Sequence, residues 1–337
     1  MFDTEGGHGY PPSVADREHS SGSATPDGVR AEIAAWLADH WDPDLSLVDW
    51  RRRLVDAGWL VPTWPVEWFG RGLPGWAATI AAEEIRAAGA IGPPLGVGMA
   101  LAAPTILEHG SDALRHRFLR RILTGEDSWC QLFSEPGAGS DLAGLTTTAI
   151  RDGDEWMVNG QKLWNTSADH ADFGILVART DWGVAKHSGL TFFVLPMRQD
   201  GVTVRPLRQM NRHSSFNEVF MTDARIPNDH VVGDPGSGWQ VALTTLSHER
   251  RFGVMAREDA TGGSGWAHED ADREAARFFL TYVWYPQRAG RADLLIEHAR
   301  RQGRTADPVV RDAVAGALAL TIRLPFAAPL TRRQQIG

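Results

Sequence analysis

Along residues 29–127 the apolar side chains recur at helical spacing, which predicts a run of amphipathic helices. VRAEIAAWLADHW is alanine-rich, and Asp27 stands where an N-cap belongs. LVDWRRRLVDAGW follows Ser46, a second cap, with Asp49 three residues on as its acidic first-turn partner; this helix should end near Gly58. GWAATIAAEEIRAAGA repeats the pattern and also stops near a glycine. GVGMALAAPTILEHG is apolar on several faces, so it should be buried. SDALRHRFLRRILTGED closes the block as a basic amphipathic helix. At Ser128 the period changes. From there to about 235 the apolar runs are short or alternate, as in WCQLF, LTTTAIRDG, EWMVNGQKLWNT, FGILVART, LTFFVLP, VTVRPL and FNEVFMTDARIP. Asp152-Gly153 and Asn159-Gly160 read as hairpin turns, the second leading into a strand that ends in Trp164 and Thr166. The segment predicts an antiparallel β-domain, read as a barrel. Helical spacing returns after Gly238 in WQVALTTLSHERRFGVMA, in DREAARFFLTYVWYPQRAGRADLLIEHARRQ and in DPVVRDAVAGALALTIRLPFAAPL, with the polar, glycine-rich REDATGGSGWAHED between the first two. The fold class is therefore α+β. A disordered tail at 1–28 is expected before a helical domain at 29–127, a β-barrel at 128–235 and a shortened helical domain at 236–337.

Composition narrows the function classes. Of 337 residues, 43% are hydrophobic and 23% charged, ordinary for a chain with a real core. The net charge of −8 argues against binding nucleic acid by neutralising phosphates. Cys130 is the sole cysteine, which rules out an internal disulfide and a cysteine-rich zinc site, and the twelve histidines show no metal spacing. No apolar run approaches the roughly 20 residues of a membrane span. The first residues lack the basic and apolar regions of a leader, so the expected location is the cytoplasm.

The stretch FSEPGAGSDLAG, residues 133–144, carries more small polar groups than a turn needs. Gly137 and Gly139 remove Cβ atoms that would block close backbone approach, Ser140 offers a hydroxyl, and successive amides can form an anion nest. No Gly-Lys-Ser/Thr follows, and the G-x-G-x-x-G fingerprint is absent. By itself the loop is either a plain turn or a ligand cradle.

Its surroundings carry more. EPGAGSD is followed in order by NGQKLWNT, by FNEVFMTDARIP and by a GWxxxxxxLxxER helix start. This set resembles the acyl-CoA dehydrogenase family, well over about residues 30–256 and weakly over 257–325. The resemblance implies FAD as cofactor. It implies that backbone groups of Gln131 and Phe133 touch the isoalloxazine, with the Ser134 hydroxyl where the family has Thr or Ser. Gly139 and Ser140 would lie by the pyrophosphate, or Ser140 by the CoA end of the substrate. Trp164 would pack on the flavin and Thr166 bond near its hydride-accepting nitrogen. Burial in the barrel is the plain alternative for Trp164, and a strand-edge hydroxyl for Thr166.

Desaturating a thioester between its α and β carbons needs a carboxylate to take the α-proton while the flavin takes the β-hydride, and donors for the carbonyl oxygen as enolate charge develops. Most family members keep that glutamate late in the chain. No such segment is found here, where further helices would be expected. A minority place it in the L-x-x-E-R helix, and Leu246 to Arg250 has that form, so Glu249 is the candidate base, with Leu246 and Phe252 on its face. Arg250 is a candidate for contact with CoA. Helix pairing is the competing role for both. The R-x-x-F-G element that in the family supplies a neighbour's FAD pyrophosphate is missing; REDATGGSGWAHED stands in its place.

The resemblance implies oxidation of an acyl-CoA substrate, an electron-transfer flavoprotein or similar acceptor, and assembly as a homo- or hetero-oligomer. Two other readings stay open: a non-catalytic partner subunit that completes a neighbour's site, and another flavoenzyme, a monooxygenase or oxidase, on the same scaffold.

Overall fold

The computed structural model describes residues 24–209, 214, 216–252, 263–280 and 292–319. The expected tail up to residue 23, the segment 253–262 and the stretch 320–337 lie outside these residues. The chain divides into two units, one up to Phe278 and one from Phe279.

In the first unit, α1 (Pro26–His40), α2 (Leu47–Asp56) and α3 (Trp76–Ala87) share one core. Val29, Ile33 and Leu37 of α1 pack with Trp50 and Leu54 of α2 and Ile80 of α3. The cap of α1 is Thr25 and not Asp27: the Thr25 hydroxyl accepts from the Gly28 amide. Pro26, whose ring pre-sets φ and which needs no donor partner, takes the first helical position and pushes Asp27 into the first turn. Ser46 caps α2 as expected, accepting from the Asp49 amide at 3.1 Å while its hydroxyl donates to the Asp49 carboxylate. The buried GMALA segment is one π-turn, Gly98–Ala102, running into α4 (Ala103–His109). α5 (Asp112–Thr124) starts behind Ser111 and delivers the chain to the sheet.

The sheet has eight strands: β1 (Trp129–Leu132), β2 (Thr148–Asp152), β3 (Glu155–Asn165), β4 (Phe173–Arg179), β5 (Leu190–Pro196), β6 (Val202–Leu207), β7 (Phe216–Pro227) and β8 (Val231–Val232). The order helices, sheet, helices is the one the sequence predicts. Two details differ. The path β6-β7-β3-β2-β4-β5-β8 is open, because β8 is only two residues long and does not reach β6. It is also not wholly antiparallel: β1 runs parallel to β4, which β2 also meets in parallel at Thr148–Arg179. Parallel neighbours need a long connection, here the loop, β2 and β3, and no local alternation announces them.

A third difference sits inside β3. Asp152-Gly153 does turn the chain between β2 and β3, with Gly153 at φ 63°. Asn159-Gly160 does not: β3 continues through it, with a register shift against β7 between Val158 and Gly160. Asn159 is tied to the partner strand by its side chain, donating to the Asp223 carboxylate and accepting from the Asp223 amide, both at 2.9 Å. A Cβ at Gly160 would stand 2.3 Å from the Thr147 hydroxyl, so glycine serves close strand packing here.

α6 (Gly238–Phe252) covers the helix-facing side of the sheet, packing against β5, the π-turn and α4. α7 (Trp266–Leu280) returns to the N-terminal helices. Glu274 takes both guanidinium nitrogens of the buried Arg51, at 2.6 and 3.1 Å, and the Leu95 amide at 2.7 Å. In the second unit lie α8 (Ala292–Arg301) and a helical stretch at 308–319, whose start is capped by Asp307 accepting from the Val309 amide. No described helix is long and apolar enough to cross a membrane.

Candidate active site

The EPGAGSD loop begins as β1 ends. A backbone pair between Glu135 and Ala138 tightens it into a turn. Its anchor is the Glu135 carboxylate, which is buried and accepts four hydrogen bonds: from the Thr146 amide (2.7 Å), the Thr146 hydroxyl (2.8 Å), the Thr147 amide (2.9 Å) and the Lys162 ammonium (2.8 Å). Lys162 is fully buried on β3 and also donates to the Phe133 carbonyl at 3.0 Å. Burial pushes the Glu135 carboxyl up, but Lys162 and the threonine donors outweigh it and hold the group at about 2. Burial pulls Lys162 down to about 8, against the pull of Glu135. Both stay charged at neutral pH, so an ion pair joins the loop to the NGQKLWNT strand.

This pair is absent from the sequence reading, though a signal for it exists. Counting by twos from the inward-facing Trp156 and Val158 reaches Gly160 and then Lys162. A hairpin placed at Asn159-Gly160 interrupts that count and hides the inward lysine.

At the end of β3 the backbone twists abruptly. Trp164 has φ 64° and Ser167 has φ 62°, left-handed values that residues with a Cβ seldom adopt. The twist separates neighbouring side chains. Trp164 is 54% exposed, its ring edge-on to Phe216 at 5.6 Å. Asn165 is buried, donates to the Gln131 carbonyl at 2.7 Å and leaves its own Oδ1 without a partner among the described residues. Thr166 is half-buried beside them. The Ser134 carbonyl accepts from the Leu163 amide at 2.8 Å, so β1's exit is laced to β3 just before Trp164.

β1 alternates as a strand should. Cys130 and Leu132 face the sheet's second core, whereas Trp129 and Phe133 face α4, α5 and α6. Gln131 lies between those two aromatics, and its side chain reaches α6, where Nε2 donates to Glu249 Oε2 at 3.0 Å. α6 is seated by Val241 and Ala242 in the core, by Thr105 and Thr245 with hydroxyls 2.9 Å apart, and by His109 to Thr244 at 2.8 Å. Glu249 and Arg250 are exposed at its far end.

Of the residues singled out from the sequence, Gln131 is hydrogen-bonded to Asn165, which stands between Trp164 and Thr166 in the chain, and to Glu249 on α6, while Phe133 and Ser134 are bonded to Lys162 and Leu163 of β3. Gly139 and Ser140 stand exposed on the loop, and the next residue, Asp141, pairs with Lys186 at 2.8 Å. Among the described residues no heavy atom stands within 4 Å of a would-be Cβ at Gly137 or Gly139, and neither has positive φ. The described residues thus give no reason for glycine there. That open space, the exposed indole face of Trp164 and the unpartnered Asn165 Oδ1 fit a flat, polar-edged group such as a flavin. Among the described residues no three acidic, histidine or cysteine side chains are placed to hold a metal.

Comparison with known proteins shows the family. The N-terminal domain of acyl-CoA dehydrogenases matches residues 24–126, and their middle domain matches 130–224. The chain belongs to the acyl-CoA dehydrogenase family, whose members are FAD-dependent flavoproteins. It is similar to the acyl-CoA dehydrogenase IpdE1 of Mycobacterium tuberculosis, 34% identical over 305 residues, covering 86% of this chain and 72% of that protein. It is 44% identical over 225 residues to the acyl-CoA dehydrogenase FadE34 of the same organism, covering 66% of this chain but only 31% of the relative. Among solved structures, the ChsE4-ChsE5 complex from Mycobacterium tuberculosis superposes with a TM-score of 0.51 at 27% identity, over 88% of this chain and 81% of that one.

Proposed function

We propose that this chain binds FAD and oxidises an acyl-CoA thioester between its α and β carbons. The observation that carries the reading is the convergence on Gln131: its carbonyl is held by Asn165, next to Trp164 and Thr166, and its side chain holds Glu249. One residue of β1 thus bridges the strand end that carries Trp164 and Thr166 and the Glu249 carboxylate. In this reading the Trp164 face and the Thr166 hydroxyl flank the isoalloxazine. The backbone of Gln131 and Phe133 meets its edge through the amides, since Asn165 and Lys162 already bond the two carbonyls. Ser134, Gly139 and Ser140 line the path of the pyrophosphate and the CoA chain, and Arg250 stands on the CoA side. FAD, when bound, supplies the acceptor for the β-hydride. The Glu249 carboxylate takes the α-proton and becomes a carboxylic acid as the carbon–carbon double bond forms.

The electrons would pass to an electron-transfer flavoprotein or similar acceptor, and the reaction would sit in the cytoplasm. The structural likeness to the ChsE4-ChsE5 complex supports assembly with like or unlike chains. Purified protein, alone and with a candidate partner chain, should show flavin absorbance that bleaches with acyl-CoA. Glu249→Gln should slow bleaching about a hundredfold or more, the scale for losing a positioned base, with FAD content unchanged. A variant that bleaches as fast as wild type refutes Glu249 as the base. A chain that never bleaches points to a non-catalytic subunit, and fast reoxidation by oxygen to an oxidase or monooxygenase.

A further inference from the structure

Gln131 is out of place by the logic of its own strand. On the face it shares with the buried Trp129 and Phe133, directed at α6, an apolar side chain would pack with both aromatics and with the α6 core. An amide there gives up burial, and its Nε2 is spent on one acceptor, the Glu249 carboxylate at 3.0 Å. Glu249 is the counterpart on α6. Ala242, Thr245 and Glu249 follow one another at three- and four-residue steps, so the carboxylate ends a stripe whose earlier members are buried. Two inward faces therefore meet in one polar contact at their open end.

The contact is not needed to hold the fold. It is solvent-exposed, where such bonds contribute little to stability. α6 is already fixed by Val241, Ala242 and the Thr105–Thr245 bond deeper in. What the contact does restrain is Glu249, a side chain with several free torsions, through its Oε2. Gln131 is itself held at its backbone by Asn165, and Asn165 accepts at its own carbonyl from the buried Asn217 amide at 3.0 Å. The line Asn217–Asn165–Gln131–Glu249 runs from β7 through β3 and β1 to α6. An amide suits this task because it donates to a carboxylate without competing for a proton.

We infer that Gln131 is a positioning residue whose side-chain amide holds the Glu249 carboxylate in one orientation over the end of β1. This rests on the reading of Glu249 as the base, and the experiment separates the two. Wild type, Gln131→Leu and Glu249→Gln are compared, as full-length protein loaded with FAD, in stopped-flow reduction by butyryl-, octanoyl- and palmitoyl-CoA. Gln131→Leu should lower the limiting rate about tenfold or more, the effect of a misaimed group. The half-saturating acyl-CoA concentration should stay within about twofold, because binding groups are untouched. In parallel, the side-chain amide signals of Gln131 are assigned in ¹⁵N-labelled protein by their loss in Gln131→Leu. They should move in Glu249→Gln, and this readout needs no turnover. Unmoved amide signals would overturn the inference. So would a slow Glu249→Gln beside a Gln131→Leu within twofold of wild type, and that result leaves the base reading standing. A Glu249→Gln as fast as wild type overturns both.

Discussion

Removing Lys162 should expose how strongly the glycine-rich loop depends on one buried ion pair. In Lys162→Met the stem is replaced by a side chain of similar length, so little volume is lost and the change is chiefly electrostatic. Glu135 would lose the ammonium at 2.8 Å but keep three donors from Thr146 and Thr147. The Phe133 carbonyl would lose its lysine donor. Breaking a buried pair from one side typically costs about 3–5 kcal/mol; with three donors left, Lys162→Met belongs at the lower end, about 3 kcal/mol. Glu135→Leu belongs at the upper end, about 5 kcal/mol, because it strips the acceptor from four donors and leaves a fully buried ammonium with one carbonyl. The double variant should cost well under the sum, since neither charge remains to be stranded. Urea unfolding, followed by both tryptophan fluorescence and far-ultraviolet circular dichroism, measures all three. If both single variants lie within about 1 kcal/mol of wild type, or Lys162→Met proves the more damaging, the account of this pair is wrong.

Glu135 also sets an acid limit. Its carboxyl is held at about 2, below its ordinary 4.5, so the unfolded chain binds more protons between those values. Stability from this group, on the order of 3 kcal/mol, is present above about pH 4.5 and lost as pH falls towards 2. Unfolding midpoints across that range should fall less steeply in Glu135→Gln than in wild type. Trp164→Ala should weaken FAD binding about tenfold or shift the flavin spectrum, as an aromatic face is lost; an unchanged affinity and spectrum in titration would make Trp164 a plain strand-end residue. Arg51→Leu should lower the thermal midpoint by an amount equal to about 2 kcal/mol, because it leaves Glu274 facing a half-covered site; calorimetry showing no shift would mean that α7 docks by its apolar face alone.

Much of this molecule is written locally. Helical spacing places α2, α3 and α5 within a few residues, and Ser46 caps where its hydroxyl and the following acid say it should. Short alternating runs place the strands, since period and breaking residues depend only on near neighbours. The ordered motifs from EPGAGSD to L-x-x-E-R point to the family, and the match over residues 24–126 and 130–224 agrees. Errors arise where a local signal competes with a distant partner. Asn159-Gly160 has turn chemistry, yet Asp223, 64 residues away, takes both the NH2 and the oxygen of the Asn159 side chain, and the strand continues. Thr25 displaces Asp27 as a cap because Pro26 fits the first helical position. The choice of Glu135, 27 residues away, as partner of Lys162 and of Glu249, 118 residues away, as partner of Gln131 belongs to the tertiary structure alone. The strand period can mark a charged or amide side chain as inward, but its partner is chosen by which strands and helices the topology sets side by side.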